Sequence, residues 1–418
     1  MFRISSVLAL SSSVLAAAGC AQSVAGALLF RRFRKRERSP SAGEQPLPPV
    51  TILKPLCGTE PLLEEAIESF CQQDYPRFQI LFGVQDKADP AIALVERLKK
   101  RYPHLDMQVI CHPGIYGLNR KISNLMNVLP YAEYETLIIS DSDIHVRPDY
   151  LRHIVRALNK AGTGLVTTLY AGRPAQNSFV QRMAASQINH NFLPGVILSR
   201  HLGRQDCLGA TMALTRSVLE SVGGLQALLP HVADDGVLGQ LVRQKGHDIT
   251  IADCLTWTTV AEQSAPELIA HELRWGRTVR SLAPAGYAAS SIQLSLFWAL
   301  LTVLLKPTSR KAWIFFFSCW GIRAITARSI NQITGEKAWW PLLFLPLRDL
   351  LSAGIMAGSV HGTQVDWRGQ TMHVTPHSAR KSSNRHISPE TKDNVPSDDL
   401  TSTPSGRALS TLSGSNFP

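Results

Sequence analysis

Apolar and polar positions divide the chain into three regimes. Residues 4–30 carry no charged side chain and are dominated by Leu, Val, Ala and Ser. At about 1.5 Å per helical residue, such a stretch crosses a hydrocarbon core of about 30 Å. From residue 50 the pattern changes to short apolar runs separated by amphipathic stretches. Val50-Thr51-Ile52-Leu53, residues 78–84, residues 107–111 and Leu137-Ile138-Ile139 lack helical spacing, as expected of strands buried on both faces of a parallel sheet. Between them, Leu62, Leu63, Ala66, Ile67 and Phe70 recur on one helical face. Residues 90–100 predict a second helix, and the segment after Gly117-Leu118-Asn119-Arg120-Lys121 a third. Strands alternating with helices of about a dozen residues predict βαβ units and an α/β fold. A strand over residues 209–214, a Gly223-Gly224 turn and an amphipathic helix through Val237, Leu238, Leu241 and Val242 follow.

The third regime is apolar again. Residues 286–305 are twenty positions without a charge, enough for a span. Residues 312–322 and 338–347 are shorter, bounded by Lys311, Arg323 and the Arg348-Asp349 pair, and suit interfacial or re-entrant segments. Trp313, Trp320, Trp339 and Trp340 fit interfacial anchoring. From about residue 377 the chain is rich in Ser, Thr, Pro and Asn and is expected to be disordered. The predicted organisation is an anchor with a basic flank (1–38), a short Ser/Pro/Gly/Gln linker (39–49), a catalytic α/β domain (48–285), membrane-associated helices (286–362) and a tail (377–418).

Charge sharpens this. Lys and Arg outnumber Asp and Glu 43 to 32, a net charge of +11 over 418 residues. The densest basic run, Arg31, Arg32, Arg34, Lys35, Arg36 and Arg38, abuts the first apolar stretch, and no zinc-finger spacing or RNA-binding aromatic signature accompanies it. An anionic membrane surface is therefore the expected partner rather than nucleic acid. Only Arg3 precedes the stretch, so the positive-inside rule places the downstream chain in the cytoplasm. Ala17-Ala18-Gly19-Cys20 offers a lipoprotein-like cleavage site, but a signal peptide carries its charge before the apolar run. Lys306, Arg310 and Lys311 follow residues 286–305 and conflict with a simple outward crossing there. The seven cysteines are scattered without a Cys-x-x-Cys, which argues for a reduced compartment and against structural zinc.

Candidate chemistry starts at Asp141-Ser142-Asp143, directly after the fourth strand. Ligand crevices of open α/β sheets lie beyond the carboxyl ends of strands. Two carboxylates one residue apart suit Mg²⁺ or Mn²⁺ shared with substrate phosphates, although a solvated turn would look the same. Gly-x-Gly-x-x-Gly and the Walker-type Gly-x-x-x-x-Gly-Lys-[Ser/Thr] are absent, which disfavours dinucleotide-binding and P-loop enzymes. Asp86, at the end of the second strand, is a candidate for holding a nucleotide base or ribose. Asp234-Asp235 precedes a helix, where acidic residues are also ordinary capping chemistry. Arg274-Trp275 sets a bidentate phosphate donor beside a flat apolar platform, or is an ordinary helix surface with one anchoring Trp.

In order, these stretches resemble the ceramide glucosyltransferase-like family of GT-A glycosyltransferases, family 21. The markers are Leu53-Lys54-Pro55-Leu56, Asp74-Tyr75-Pro76, Val84-Gln85-Asp86, Asp89-Pro90-Ala91, Asn119-Arg120-Lys121-Ile122-Ser123-Asn124-Leu125, Asp141-Ser142-Asp143, Ala233-Asp234-Asp235 and His271-Glu272-Leu273-Arg274-Trp275. The resemblance implies a GT-A (nucleotide-diphospho-sugar transferase) fold with an N-terminal transmembrane helix and C-terminal membrane-associated helices. It further implies a donor set of Lys54, Asp86, Lys121, Asp141, Arg274 and Trp275, a divalent metal (Mg²⁺ or Mn²⁺) on Asp141 and Asp143, and Asp235 as general base. Asp234, His271 and His190 are further candidates; His271 stands where the family has Gln or Arg. The implied reaction is inverting transfer from a UDP-sugar to a lipid hydroxyl at the bacterial inner (cytoplasmic) membrane, with the catalytic domain in the cytoplasm. Within the family the chain looks most like the hopanoid-biosynthesis branch, which adds an N-acetylhexosamine to bacteriohopanetetrol. The alternatives are a bacterial ceramide glucosyltransferase, a processive polysaccharide synthase and a non-catalytic membrane-anchored binding module.

Overall fold

The structure, a computed structural model, describes residues 2–37, 47–361, 364–367 and 370–373; the expected tail and most of the linker lie outside them. A 36-residue helix, α1 (Phe2–Glu37), opens the chain. The four expected runs become β1 (Val50–Pro55), β2 (Phe78–Val84), β3 (Asp106–Cys111) and β4 (Thr136–Ser140). They pair in parallel, with Ile52 opposite both Ile80 and Ile138. The intervening helices are α2 (Leu63–Cys71), α3 (Ala91–Arg101) and α4 (Arg120–Val128). Side chains alternate along each strand. Ile52, Ile80 and Ile138 pack with Ile67 and Phe70 of α2 and Val95 of α3. Leu53, Leu81 and Ile139 pack with Ile122 and Leu125 of α4. Both sheet faces are therefore buried, and that is why the strands read as unbroken apolar runs.

The second half of the sheet departs from expectation. After β5 (Ile144–His145) and α5 (Tyr150–Leu158) comes the long β6 (Thr163–Pro174). It is followed by α6 (Phe179–Gln187), a π-turn (Ile188–Phe192), α7 (Leu193–His201), β7 (Thr211–Thr215), α8 (Arg216–Ser221), α9 (Asp234–Gln244) and β8 (Asp248–Val260). The sheet order is β3-β2-β1-β4-β7-β6-β8-β5. The expectation of a parallel sheet is corrected: β7 lies between β4 and β6 and is antiparallel to both, and β5 is antiparallel to β8. The fold is α/β with a mixed sheet.

The apolar C-terminal third is helical: α10 (Ala265–Leu282), α11 (Pro284–Ala289), α12 (Ser295–Leu305), α13 (Arg310–Thr334) and α14 (Leu345–Val360). Ile4–Glu37 and Trp340–Val360 are each long and apolar enough to cross a membrane. Residues 286–305, long enough for a span, are broken at Leu294, and the helical segments on either side meet at 66°, as in a broken span or a re-entrant loop. The break has a partner: Asp349 of α14 accepts the Leu296 N–H at 3.0 Å and so satisfies one of the free N–H groups at the buried start of α12. Asp349 also pairs with Arg323 of α13 at 3.2 Å, while Arg348 holds Glu272 of α10 through both carboxylate oxygens, at 2.8 and 2.6 Å. Both pairs are buried.

α1 is more than a tether. It packs against α7, α12 and α13. At its last residue the buried Glu37 carboxylate takes Arg34 of its own helix, Arg147 at 2.8 Å and the Leu255 N–H of β8 at 3.4 Å.

Candidate active site

β4 ends at Ser140, and Asp141-Ser142-Asp143 turns the chain into β5. Lys54, at the end of β1, holds this turn. Its Nζ donates to the Asp141 carbonyl at 2.8 Å and lies 3.7 Å from the centre of the Phe70 ring. Burial pushes the amine down to about 7, against the pull of Asp143 and Asp141. Lys54, a donor-binding candidate by resemblance, is fully buried at the end of a central strand, beneath the Asp141 turn.

Lys121 brings the separate acidic motifs together. Asn119 caps α4, accepting the Ile122 N–H at 3.1 Å, and so sets Lys121 in the first turn of that helix. From there Nζ reaches Asp141 at 2.7 Å and Asp234 at 3.2 Å. Burial opposes its charge, but Asp141, Asp234 and Asp235 hold it above the ordinary lysine range. Neither carboxylate of the Asp234-Asp235 pair is the cap of α9. That position is Ala233, which has no acceptor; both carboxylates lie in the first turn of the helix, at its positive end. Asp235 is half-buried and accepts the Gly236 N–H at 2.7 Å. A Cβ at Gly209 would stand 3.0 Å from its Oδ2, so a glycine there is what allows the carboxylate to lie close to the chain leading into β7. Burial, and then the charge of Asp234, push Asp235 up to about 6, with Lys121 working the other way.

Asp143 accepts a hydrogen bond from the Thr258 hydroxyl of β8, and burial together with Asp141 raises it to about 6. Two carboxylates on one turn, both open to partial solvent, match the donor chemistry of a hard divalent cation that takes its remaining ligands from substrate and water. Among the described residues no group of three or more His, Cys, Asp or Glu could hold a metal, so the protein alone supplies no closed site. Asp86 is exposed at the end of β2, its Oδ1 accepting the Ala88 N–H at 2.9 Å.

Arg274 and Trp275 are half-buried on α10. Trp275 lies 5.9 Å from Phe192, and Phe192 5.0 Å from Tyr170. Burial, and then the charges of Asp235, Asp141 and Asp143, drive the Tyr170 phenol upward. His271 pairs through Nδ1 with Glu262 and meets the Trp275 ring edge-on at 5.5 Å, a contact that orients the indole. His190 is placed otherwise. It is buried in the π-turn, bonded to Ser186 at 2.9 Å and Asn331 at 2.7 Å, and burial pushes it down to about 4. Nε2 ties the π-turn to α13 and Nδ1 ties it back to Ser186 of α6, so both ring nitrogens are engaged within the fold. Tyr170, Phe192, Thr258 and Glu262 were not singled out from the sequence. For Tyr170 the available signal was the run Leu165-Val166-Thr167-Thr168-Leu169-Tyr170-Ala171, which has strand composition.

Comparison with known proteins matches residues 9–379 to Glycosyl transferase family 21. Ceramide glucosyltransferase of Komagataella phaffii is 33% identical over 141 residues, covering 32% of this chain and 26% of that protein. Ceramide glucosyltransferase 3 of Caenorhabditis elegans is 24% identical over 365 residues, covering 83% and 77%. The matches to the K. phaffii enzyme and to ceramide glucosyltransferase 1 of C. elegans span 26% and 46% of those proteins. Among solved structures, a mannosyltransferase from Pyrobaculum calidifontis in complex with GDP-Man and Mn²⁺ is similar over 84% of this chain and 99% of that one, at 16% identity and a TM-score of 0.44.

Proposed function

The chain belongs to glycosyl transferase family 21, and from that membership we propose that it moves a sugar from a UDP-sugar to the hydroxyl of a membrane lipid, with inversion. One observation carries the proposal: Lys121 ties Asp141 to Asp234 and so sets Asp235 beside the Asp-x-Asp turn. Asp235 takes the proton of the attacking hydroxyl; a carboxylate raised to about 6 is ionised at neutral pH yet basic enough for the task. Asp141 and Asp143 would hold Mg²⁺ or Mn²⁺, which when bound neutralises charge on the leaving diphosphate. Arg274 stabilises the same leaving group, Asp86 takes the uridine, and Trp275 lines the site.

The acceptor is a lipid because the domain is built onto apolar helices. Bacteriohopanetetrol, taking an N-acetylhexosamine, is the first choice. Ceramide is the second, favoured by the names of the curated relatives. The basic run after residue 30 supports a catalytic domain on the cytoplasmic face, against anionic lipid, and the reading takes the membrane as a bacterial inner membrane. The experiment is co-expression with each acceptor, followed by mass spectrometry of the lipids. A hexosaminylated or hexosylated hopanoid, absent with Asp235→Asn, is the expected product. Glycosylated ceramide alone selects the second choice, and no glycolipid from either refutes the proposal.

A further inference from the structure

A cavity of about 390 Å³ opens where β5, the end of β6 and β8 meet α2 and the end of α13. Glu65, His145, Arg173, Trp257 and Glu336 form much of its wall, and neither acidic motif lines it. The volume lies within the range of about 300–1,000 Å³ that small-ligand sites occupy.

The wall is polar but carries little net charge. Arg173 pairs with Glu65 at 2.7 Å, and Glu336 pairs with Arg182 at 2.7 Å. Arg173 also lies 3.3 Å from His145 Nδ1. A guanidinium only donates, so Nδ1 accepts and the ring is neutral, leaving Nε2–H for the Thr259 hydroxyl at 2.9 Å. Each of the two lining carboxylates is already matched by a guanidinium, so the wall offers neither a phosphate nor an ammonium an unmatched charge. A hydroxyl both donates and accepts, as this mixture of guanidinium, carboxylate and imidazole requires. Trp257 adds an apolar face.

The position relates the cavity to the chemistry. His145 is two residues beyond Asp143, about 7 Å along the chain, and its Thr259 partner follows Thr258, which donates to Asp143. Thr334, Gly335 and Glu336 close α13 on the cavity, and the exposed Trp339 follows, a side chain suited to a membrane interface. We propose that this cavity binds the neutral, polyhydroxylated head group of the lipid acceptor and so selects polyol-headed lipids over those with a single hydroxyl. The proposal rests on the lipid-acceptor reading above.

The test uses the full chain in nanodiscs with a UDP-sugar and two acceptors that share one alkyl chain, an alkyl tetrol and an alkanol. Arg173→Met, and separately Glu65→Gln, should lower the preference for tetrol over alkanol about tenfold, the loss of a hydrogen bond to a charged group. Free erythritol should give a saturation-transfer NMR signal with the wild type that both variants weaken. An unchanged preference and an unchanged erythritol signal in both folded variants overturn the proposal, as does an equal fall in turnover on the two acceptors. If the wild type binds erythritol yet glycosylates neither lipid, the lipid-acceptor reading fails and the polyol site stands.

Discussion

Asp235→Asn should make the protein more stable and almost inactive at once. The carboxyl's ordinary value of 3.8 is raised to about 6 in the fold, burial being the main cause. A raised folded value means that the native state binds this proton more tightly than the unfolded chain does. Stability is therefore lost as pH rises from about 4 to about 6, and the full cost is present above that. Two units correspond to about 3 kcal/mol. Asp235 is only half-buried, and screening reduces the figure to about 1–3 kcal/mol. Asn keeps the acceptor for the Gly236 N–H and sheds the charge. Thermal unfolding of the detergent-solubilised variant should run above wild type at pH 7.5 and converge with it near pH 4. Turnover should fall about 10²–10⁴-fold while the KM for UDP-sugar stays close to wild type. The wild-type kcat/KM should rise with pH through about 6. Asp234→Asn should be milder in turnover but less stable, because it gives up the Lys121 contact at 3.2 Å. A destabilised Asp235→Asn at pH 7.5, or near-normal transfer by it, would refute the assignment.

Chelation by EDTA should abolish transfer and added Mg²⁺ or Mn²⁺ restore it; full activity in chelator removes the metal role of Asp141 and Asp143. Arg348→Met strands the buried Glu272 carboxylate and should cost about 3–5 kcal/mol in unfolding, with most of the loss recovered by adding Glu272→Leu. If the double variant is as unstable as the single, the pair is not what joins α10 to α14. The chain should stay in the membrane fraction in high salt, because apolar helices of the length of Ile4–Glu37 and Trp340–Val360 are not screened away; release by salt alone would contradict a span.

The parallel half of the fold was legible because each strand is covered on both faces. Residues 78–84 are apolar throughout, apart from Gln79 and Gly83, and coincide with β2 to the residue. β6 and β8 were missed. Both are long and Thr-rich, and their pairing carries register shifts at Thr163/Leu165 and Thr167/Leu169, so no clean period survives. Candidate residues stand out where their chemistry is local, as in Asp141-Ser142-Asp143. The burial of Lys54 is not legible, because a lysine is rarely buried whole, and only the fold shows it beneath the turn. The break inside residues 286–305 is invisible locally, since the group that satisfies it, Asp349, belongs to a different helix.

The Glu37 contact changes what kind of part α1 is. A helix joined only by a linker could be exchanged for any other of equal length. Here its last residue is latched to Arg147 and to β8, upstream of the linker, so lengthening or shortening the linker leaves the latch engaged. One residue inserted within α1 does not: it turns everything beyond by about 100° and shifts it by about 1.5 Å. α1 thus behaves as a keyed shaft. Its phase and length fix how the sheet is turned about the axis of the apolar helix.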